Sequence, residues 1–205
     1  MTFSPDDSRL ASASDDSTVQ LWDRENKTRI ATLTGHSKCV TSVKFSPDDS
    51  TLASTSWDLT IRLWNSRTGN HIATLNGHSE CVSSVAFSKC GSRFFSWSRD
   101  NTVLVWDVTD ITQPTVLCRK TVVGLFYVDT HDFLFLLETR TDPTLCGLTV
   151  LNLQDGSPFD THVICWFPSD ISPCRLAVHP DALTAAVVCT DGRVFVLDIS
   201  KALIP

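Results

Sequence analysis

The chain has 205 residues, 42% of them hydrophobic and 20% charged, an ordinary globular balance with enough apolar surface for a core. Its formal net charge is −6 and no run of lysines or arginines occurs, which argues against nucleic acid or an anionic membrane as the main partner, since both need a basic patch. The longest apolar stretches, 122–128 and 133–137, are strand-sized and far below a membrane span, and Met1-Thr2-Phe3-Ser4-Pro5-Asp6-Asp7 lacks the basic start and apolar run of a secretion signal.

Taken in chain order, the predicted elements repeat. The string FSPDDS at 3–8 is followed by LAS at 10–12, Asp16 and Trp22-Asp23; IATL at 30–33 then leads into Gly35-His36. The series returns as FSPDDS at 45–50, LAS at 52–54, Asp58, Trp64-Asn65, IATL at 72–75 and Gly77-His78, and then as Phe87, Asp100 and Trp106-Asp107. The interval is 42 residues throughout, so each interval should be one supersecondary unit. Within a unit the apolar period is two, as in Thr60-Ile61-Arg62-Leu63-Trp64, and Val, Ile, Thr, Phe and Trp dominate, which favours strands. The breaks fall at turn compositions: Ser-Pro-Asp-Asp, Trp57-Asp58, Arg67-Thr68-Gly69-Asn70 and Asn76-Gly77. Four short strands per unit make one propeller blade, which must stack on others to bury its faces. The fold class expected is therefore all-β: a β-propeller of four-stranded antiparallel blades, about five units in all.

From 111 onward the pattern thins. Stretches at 122–128, 133–138, 148–153 and 163–167 read as four strands of a divergent fourth unit, and 175–179, 183–190 and 193–199 as three strands of a fifth. Leu151-Asn152 and Leu197-Asp198 stand in the Trp-Asp place, and Asp191-Gly192 precedes Leu197 as Asp16 precedes Trp22. The expected organisation is 1–110 as three regular blades, the first truncated, and 111–205 as about two divergent blades of the same domain; a β-sandwich extension is the alternative. Eight cysteines, at 39, 81, 90, 118, 146, 165, 174 and 189, are scattered singly without a Cys-x-x-Cys pair, so reduced thiols are expected. No zinc-finger spacing occurs, and no metal or cofactor is expected.

Gly-His, then Trp-Asp, at a repeat of about 40–45 residues resembles the WD-repeat family. Gly35-His36 to Trp64-Asn65 and Gly77-His78 to Trp106-Asp107 carry the resemblance, with Trp22-Asp23 closing the truncated first unit; Asn65 replaces the usual Asp. The resemblance implies a structural tetrad in which a turn Asp accepts from a His ring, the His reaches a strand Ser, and that hydroxyl reaches the Trp indole N–H. In this chain the groups are His36, Ser54, Asp58 and Trp64, then His78, Ser96, Asp100 and Trp106, with only Ser12, Asp16 and Trp22 in the first unit. Ser, His and Asp are also the residues of a nucleophilic triad. Repetition argues against that reading, because an enzyme needs one nucleophile whereas a structural device recurs in every blade; no phosphate loop or nucleophile elbow is present, and no enzyme is expected.

Similar propellers bind protein or peptide partners on the face bearing the tight turn. There the residue before the turn Asp points outward, giving Asp15, Trp57 and Arg99, with Cys39 and Thr41 and Cys81 and Ser83 flanking the first-strand Val40 and Val82. Trp and Arg are enriched at binding hot spots, and the aligned Asp15 and Arg99 show that the blade does not require an aromatic at 57. The competing reading packs Trp57 over its own turn, leaves Arg99 solvated or salt-bridged, and makes Cys39 and Cys81 small fillers. The function expected is a non-catalytic interaction scaffold of the cytoplasm or nucleus. The alternative is a structural or autoinhibitory propeller segment of a larger multidomain signalling sensor. The chain starts inside a strand and stops shortly after one, so a fragment or isoform is expected, with the rest of a larger propeller as a further partner.

Overall fold

In the FSPDDS string, each Ser-Pro-Asp-Asp corner folds on its own side chains. Ser4 Oγ donates to Asp6 Oδ1 at 2.6 Å, which in turn accepts from Ser8 N at 2.9 Å, and Arg9 N donates back to Ser4 Oγ. The same bonds recur around Ser46 and Asp48. Asp7 and Asp49 take φ of 60° and 63° to close these corners, and Gly91 takes 78° at the third. Asp tolerates the left-handed region better than most residues, and Gly adopts it freely.

These corners join antiparallel strands. The structure, a computed structural model, describes residues 1–122 in full; beyond them it describes the strands named below and, of the side chains, those of Ala186, Arg193, Val194 and Val196. Residues Met1–Arg119 and Lys120–Pro205 form two separate units. The first holds three four-stranded sheets, each a meander in chain order. Sheet one is β1 (Thr2–Phe3), β2 (Arg9–Ala13), β3 (Val19–Asp23) and β4 (Thr28–Leu33). Sheet two is β5 (Val40–Phe45), β6 (Thr51–Ser56), β7 (Ile61–Asn65) and β8 (His71–Leu75). Sheet three is β9 (Val82–Phe87), β10 (Arg93–Ser98), β11 (Thr102–Asp107) and β12 (Thr115–Thr121).

The second unit contains a four-stranded meander of β13 (Gly124–Val128), β14 (Phe133–Thr139), β15 (Cys146–Asn152) and β16 (Thr161–Phe167). A three-stranded meander follows: β17 (Pro173–Val178), β18 (Thr184–Cys189) and β19 (Val194–Asp198). The architecture is thus all-β with sequential antiparallel sheets, as in a β-propeller, and no helix occurs among the described residues. The Asp191-Gly192 turn and the side chains of Leu151, Asn152, Leu197 and Asp198 lie outside the described residues.

The core of the first unit lies between sheets and repeats with the sequence. Ala11, Val19, Leu21 and Leu33 of sheet one pack on Val40, Val43, Phe45, Leu52 and Trp64 of sheet two. Ala53, Ile61, Leu63 and Leu75 of sheet two pack in turn on Val82, Val85, Phe94, Leu104 and Trp106 of sheet three, with Phe87 at the margin. Each sheet therefore has a covering face, with Ala, Val or Ile, and Leu, and a receiving face, with Phe, Leu or Phe, and Trp. Because both faces are covered, the period-two alternation weakens in the middle strands, and every residue of β6 is buried. The outermost strands stay largely exposed, most clearly β4 and β12.

One polar contact joins sheets one and two and has no counterpart in the repeat. Arg9 Nη2 forms a buried ion pair with Asp49, while its Nη1 donates to Ser66 Oγ at 3.1 Å. Ser66 Oγ donates onward to the Asp49 carbonyl. Breaking such a buried pair by removing one partner leaves an uncompensated charge, at a cost of about 3–5 kcal/mol.

Candidate functional site

The Ser–His–Asp groups form where the loop entering a sheet crosses its tight turn. Gly35 allows the crossing: its φ is +146°, and a Cβ there would lie 2.5 Å from Arg62 Nη1. His36 Nδ1 then lies 2.8 Å from Asp58 Oδ2, and its Nε2 lies 2.8 Å from Ser54 Oγ. Trp64 Nε1 donates to that same Ser54 Oγ at 2.8 Å. In sheet three, His78 Nδ1 is 3.1 Å from Asp100 Oδ2, His78 Nε2 is 2.8 Å from Ser96 Oγ, and Trp106 Nε1 donates to Ser96 Oγ at 2.9 Å.

The proton positions follow from the partners. Indole N–H can only donate and carboxylate can only accept. The Ser oxygen therefore receives the indole proton, its own proton goes to His Nε2, and His Nδ1–H donates to the Asp. A neutral His suffices for this chain. Burial pushes both His36 and His78 below the usual imidazole value, although the neighbouring Asp58 and Asp100 oppose the shift. Burial would raise the two carboxyls, but hydrogen bonds from Thr60 and Ser37 N–H to Asp58, and from Thr102 and Ser79 N–H to Asp100, bring each down to about 2.

Two members of each network escaped the sequence reading. Thr60 Oγ1 donates to Asp58 Oδ1 at 2.6 Å, and Thr102 Oγ1 to Asp100 Oδ1 at 2.7 Å, each reinforced by the Thr backbone N–H. Ser56 and Ser98 hold the turns from the other side, donating to the Lys38 and Glu80 carbonyls at 3.0 Å. Thr18 and Ser14 stand one repeat earlier, so the 42-residue interval carried a signal for both sets.

Sheet one does not assemble this network. Thr18 Oγ1 donates to Asp16 Oδ1 at 2.7 Å, as its counterparts do, but Asp16 is exposed. No hydrogen bond joins Ser12 to Trp22, and Gln20 instead bridges Thr18 and Thr32. In the complete groups the geometry resembles a nucleophilic triad, but the access does not. Ser54 and Ser96 are 0% exposed, and each hydroxyl oxygen is already occupied by an indole N–H. A nucleophile must be within reach of its substrate.

The predicted binding-face residues meet in a band across the tight turns. Trp57 is 43% exposed, and the Arg99 guanidinium lies over its ring at 5.5 Å from the centroid, a cation–π distance. Arg99 is therefore stacked as well as solvated. Cys39 Sγ donates to Asp15 Oδ1 at 2.7 Å, and that carboxylate helps hold the thiol up at about 11. Cys81 Sγ lies 3.9 Å from the Trp57 carbonyl oxygen, beneath the indole. Thr41 is less available, because its hydroxyl bonds to Thr55 at 2.8 Å and donates to the Val82 carbonyl of the next sheet. Ser83 is half-buried beside it. The four described cysteines, Cys39, Cys81, Cys90 and Cys118, are free thiols. Among the described residues there is no cluster of three His, Cys, Asp or Glu side chains that could hold a metal ion, and no helix long and apolar enough to cross a membrane.

The family model described as WD domain, G-beta repeat matches residues 1–23, 27–65 and 69–107. These segments coincide with sheets one to three. A search of curated proteins found no match.

Proposed function

The chain belongs to the WD-repeat family, whose repeats are generally protein-interaction scaffolds, and from that premise we propose that it binds a protein or peptide partner without catalysing a reaction on it. The binding face is the band of Asp15, Cys39, Trp57, Cys81 and Arg99. Trp57 carries the reading: it is a large exposed aromatic at a position where the other repeats hold Asp15 and Arg99, so the fold itself does not call for it. Its ring is held by Arg99 on one side and lies above Cys81, which lowers the entropy lost when a partner docks on it. Aromatic and Arg anchors held in this way are the usual centres of binding energy.

In the same reading, His36–Ser54–Asp58–Trp64 and His78–Ser96–Asp100–Trp106 are structural tetrads that hold the turns of the binding face in place. Residues 1–110 form three regular blades, and 111–205 about two divergent blades of one propeller domain. The test is affinity capture from cell extract with the full chain and with the Trp57→Ala/Arg99→Ala double variant. A specific partner recovered by the parent chain and lost by the variant, with unchanged thermal unfolding, supports the assignment. Capture of the same partners by both proteins would remove it.

A further inference from the structure

The covering and receiving faces recur beyond the seams already described. On sheet one the receiving positions are Phe3, Leu10 and Trp22, one repeat before Phe45, Leu52 and Trp64. Phe45, Leu52 and Trp64 are buried, whereas Phe3 is 56% exposed and Leu10 and Trp22 are only half-buried. Phe3, Leu10 and Trp22 line a shallow apolar pocket with the stems of Arg24 and Lys27 at its rim. The covering positions recur on β18 and β19. Aligning Asp191 and Leu197 with Asp16 and Trp22 sets Ala186, Val194 and Val196 on Ala11, Val19 and Leu21. The strand register agrees, because Ala186 pairs with Val196 as Ala11 pairs with Leu21. Val194 is 57% and Val196 71% exposed, whereas Val19 and Leu21 are fully buried under the next sheet.

One chain therefore exposes both halves of a contact that it makes twice internally. We infer that these are the two sides of a head-to-tail interface between copies of this chain, with Ala186, Val194 and Val196 of one copy seated on Phe3, Leu10 and Trp22 of the next. The occupant follows from the chemistry. The receiving face accepts a small residue flanked by branched aliphatics at both internal seams, and this chain presents that set. The two surfaces differ, so the contact is heterologous, and each copy added leaves one half open for another.

Sedimentation velocity of the full chain over a concentration series tests this, together with Val196→Asp and Phe3→Asp, which alter exposed positions on the covering and receiving faces. The wild type should show mass rising with concentration, and each variant should weaken association at least tenfold with an unchanged circular dichroism spectrum. An equimolar mixture of the two variants keeps one intact covering face and one intact receiving face. It should form a species of two chains and nothing larger. Val194→Lys and Leu10→Lys repeat the design if either first variant loses its fold. A wild type that stays monomeric throughout, whether its faces are covered within one copy or by a different protein, overturns the inference. So does association that all of these variants leave intact.

Discussion

Sheet one and sheet two share their strand lengths, corners and turn residues, yet only sheet two closes its polar network. Both carry Ser, Asp, Thr and Trp at corresponding positions, but Trp64 is sealed beneath sheet one whereas Trp22 is half-buried. In sheet two the indole N–H reaches Ser54 Oγ; in sheet one no bond joins Trp22 to Ser12. The comparison teaches that the Trp–Ser–His–Asp chain depends on burial from the adjacent sheet and on a His from the preceding loop. The residue types alone do not build it.

The largest expected difference between the two sheets is at the indoles. Trp64→Ala should cost about 3–5 kcal/mol, as for other buried aromatics, whereas Trp22→Ala should cost far less. Urea denaturation followed by circular dichroism measures both, and equal costs would mean that the two sheets are equally sealed. Next in size is the ring that links turn to strand. His78→Ala strands the Ser96 hydroxyl and removes a donor to Asp100, which should cost about 1–3 kcal/mol in thermal or chemical unfolding. Asp16→Asn in sheet one, with no ring to lose, should change stability much less.

Acid should separate the sheets in a graded way. His36 and His78 have pKa values lowered on folding, so the unfolded chain binds protons more readily; their contribution is complete above the ordinary value of 6.5 and is lost as pH falls from there through the lowered folded value. Asp58 and Asp100, lowered from 3.8 to about 2, add a second loss between those values. Unfolding followed from pH 8 to 3 should show the first loss in the parent chain, and the double variant His36→Ala/His78→Ala should flatten it. The smallest effect expected is a gain. Leu59 takes φ of 75° at the turn position that Ser17 and Asn101 occupy in the other repeats. A branched side chain there costs roughly 1 kcal/mol, so Leu59→Gly should raise the melting temperature slightly.

The tetrad was legible because its members recur at one fixed interval and because each residue type has a single hydrogen-bonding role. Thr60 and Thr102 were missed, although Thr18 completes the series, because a Thr after a turn Asp looks like ordinary turn chemistry. The Arg9–Asp49 pair was not legible at all. Its repeat counterparts are Thr51 and Arg93 for Arg9, and Asp7 and Gly91 for Asp49, so no recurrence flags it, and a contact 40 residues long leaves no local pattern. Arg99 over Trp57 was half-visible: both were placed on one face, but two residues at the same repeat position do not look like neighbours until the sheets are stacked. The period-two reading found the strands, yet it predicted one wet face where stacking buries both, as throughout β6.

The repeated seam also bears on how such a chain can grow. Leu21 meets Trp64 as Leu63 meets Trp106, and the loop between consecutive sheets keeps a constant length. An in-frame duplication of one 42-residue interval would therefore create a new junction with the same covering and receiving residues as the old ones. No compensating substitution would be needed for the added sheet to be buried on arrival. The one contact that such an event would not copy faithfully is the Arg9–Asp49 pair, because its two members stand in different repeats and at different positions. A duplication boundary falling between them would separate the pair, which makes that ion pair a mark of where this sheet order was last rearranged.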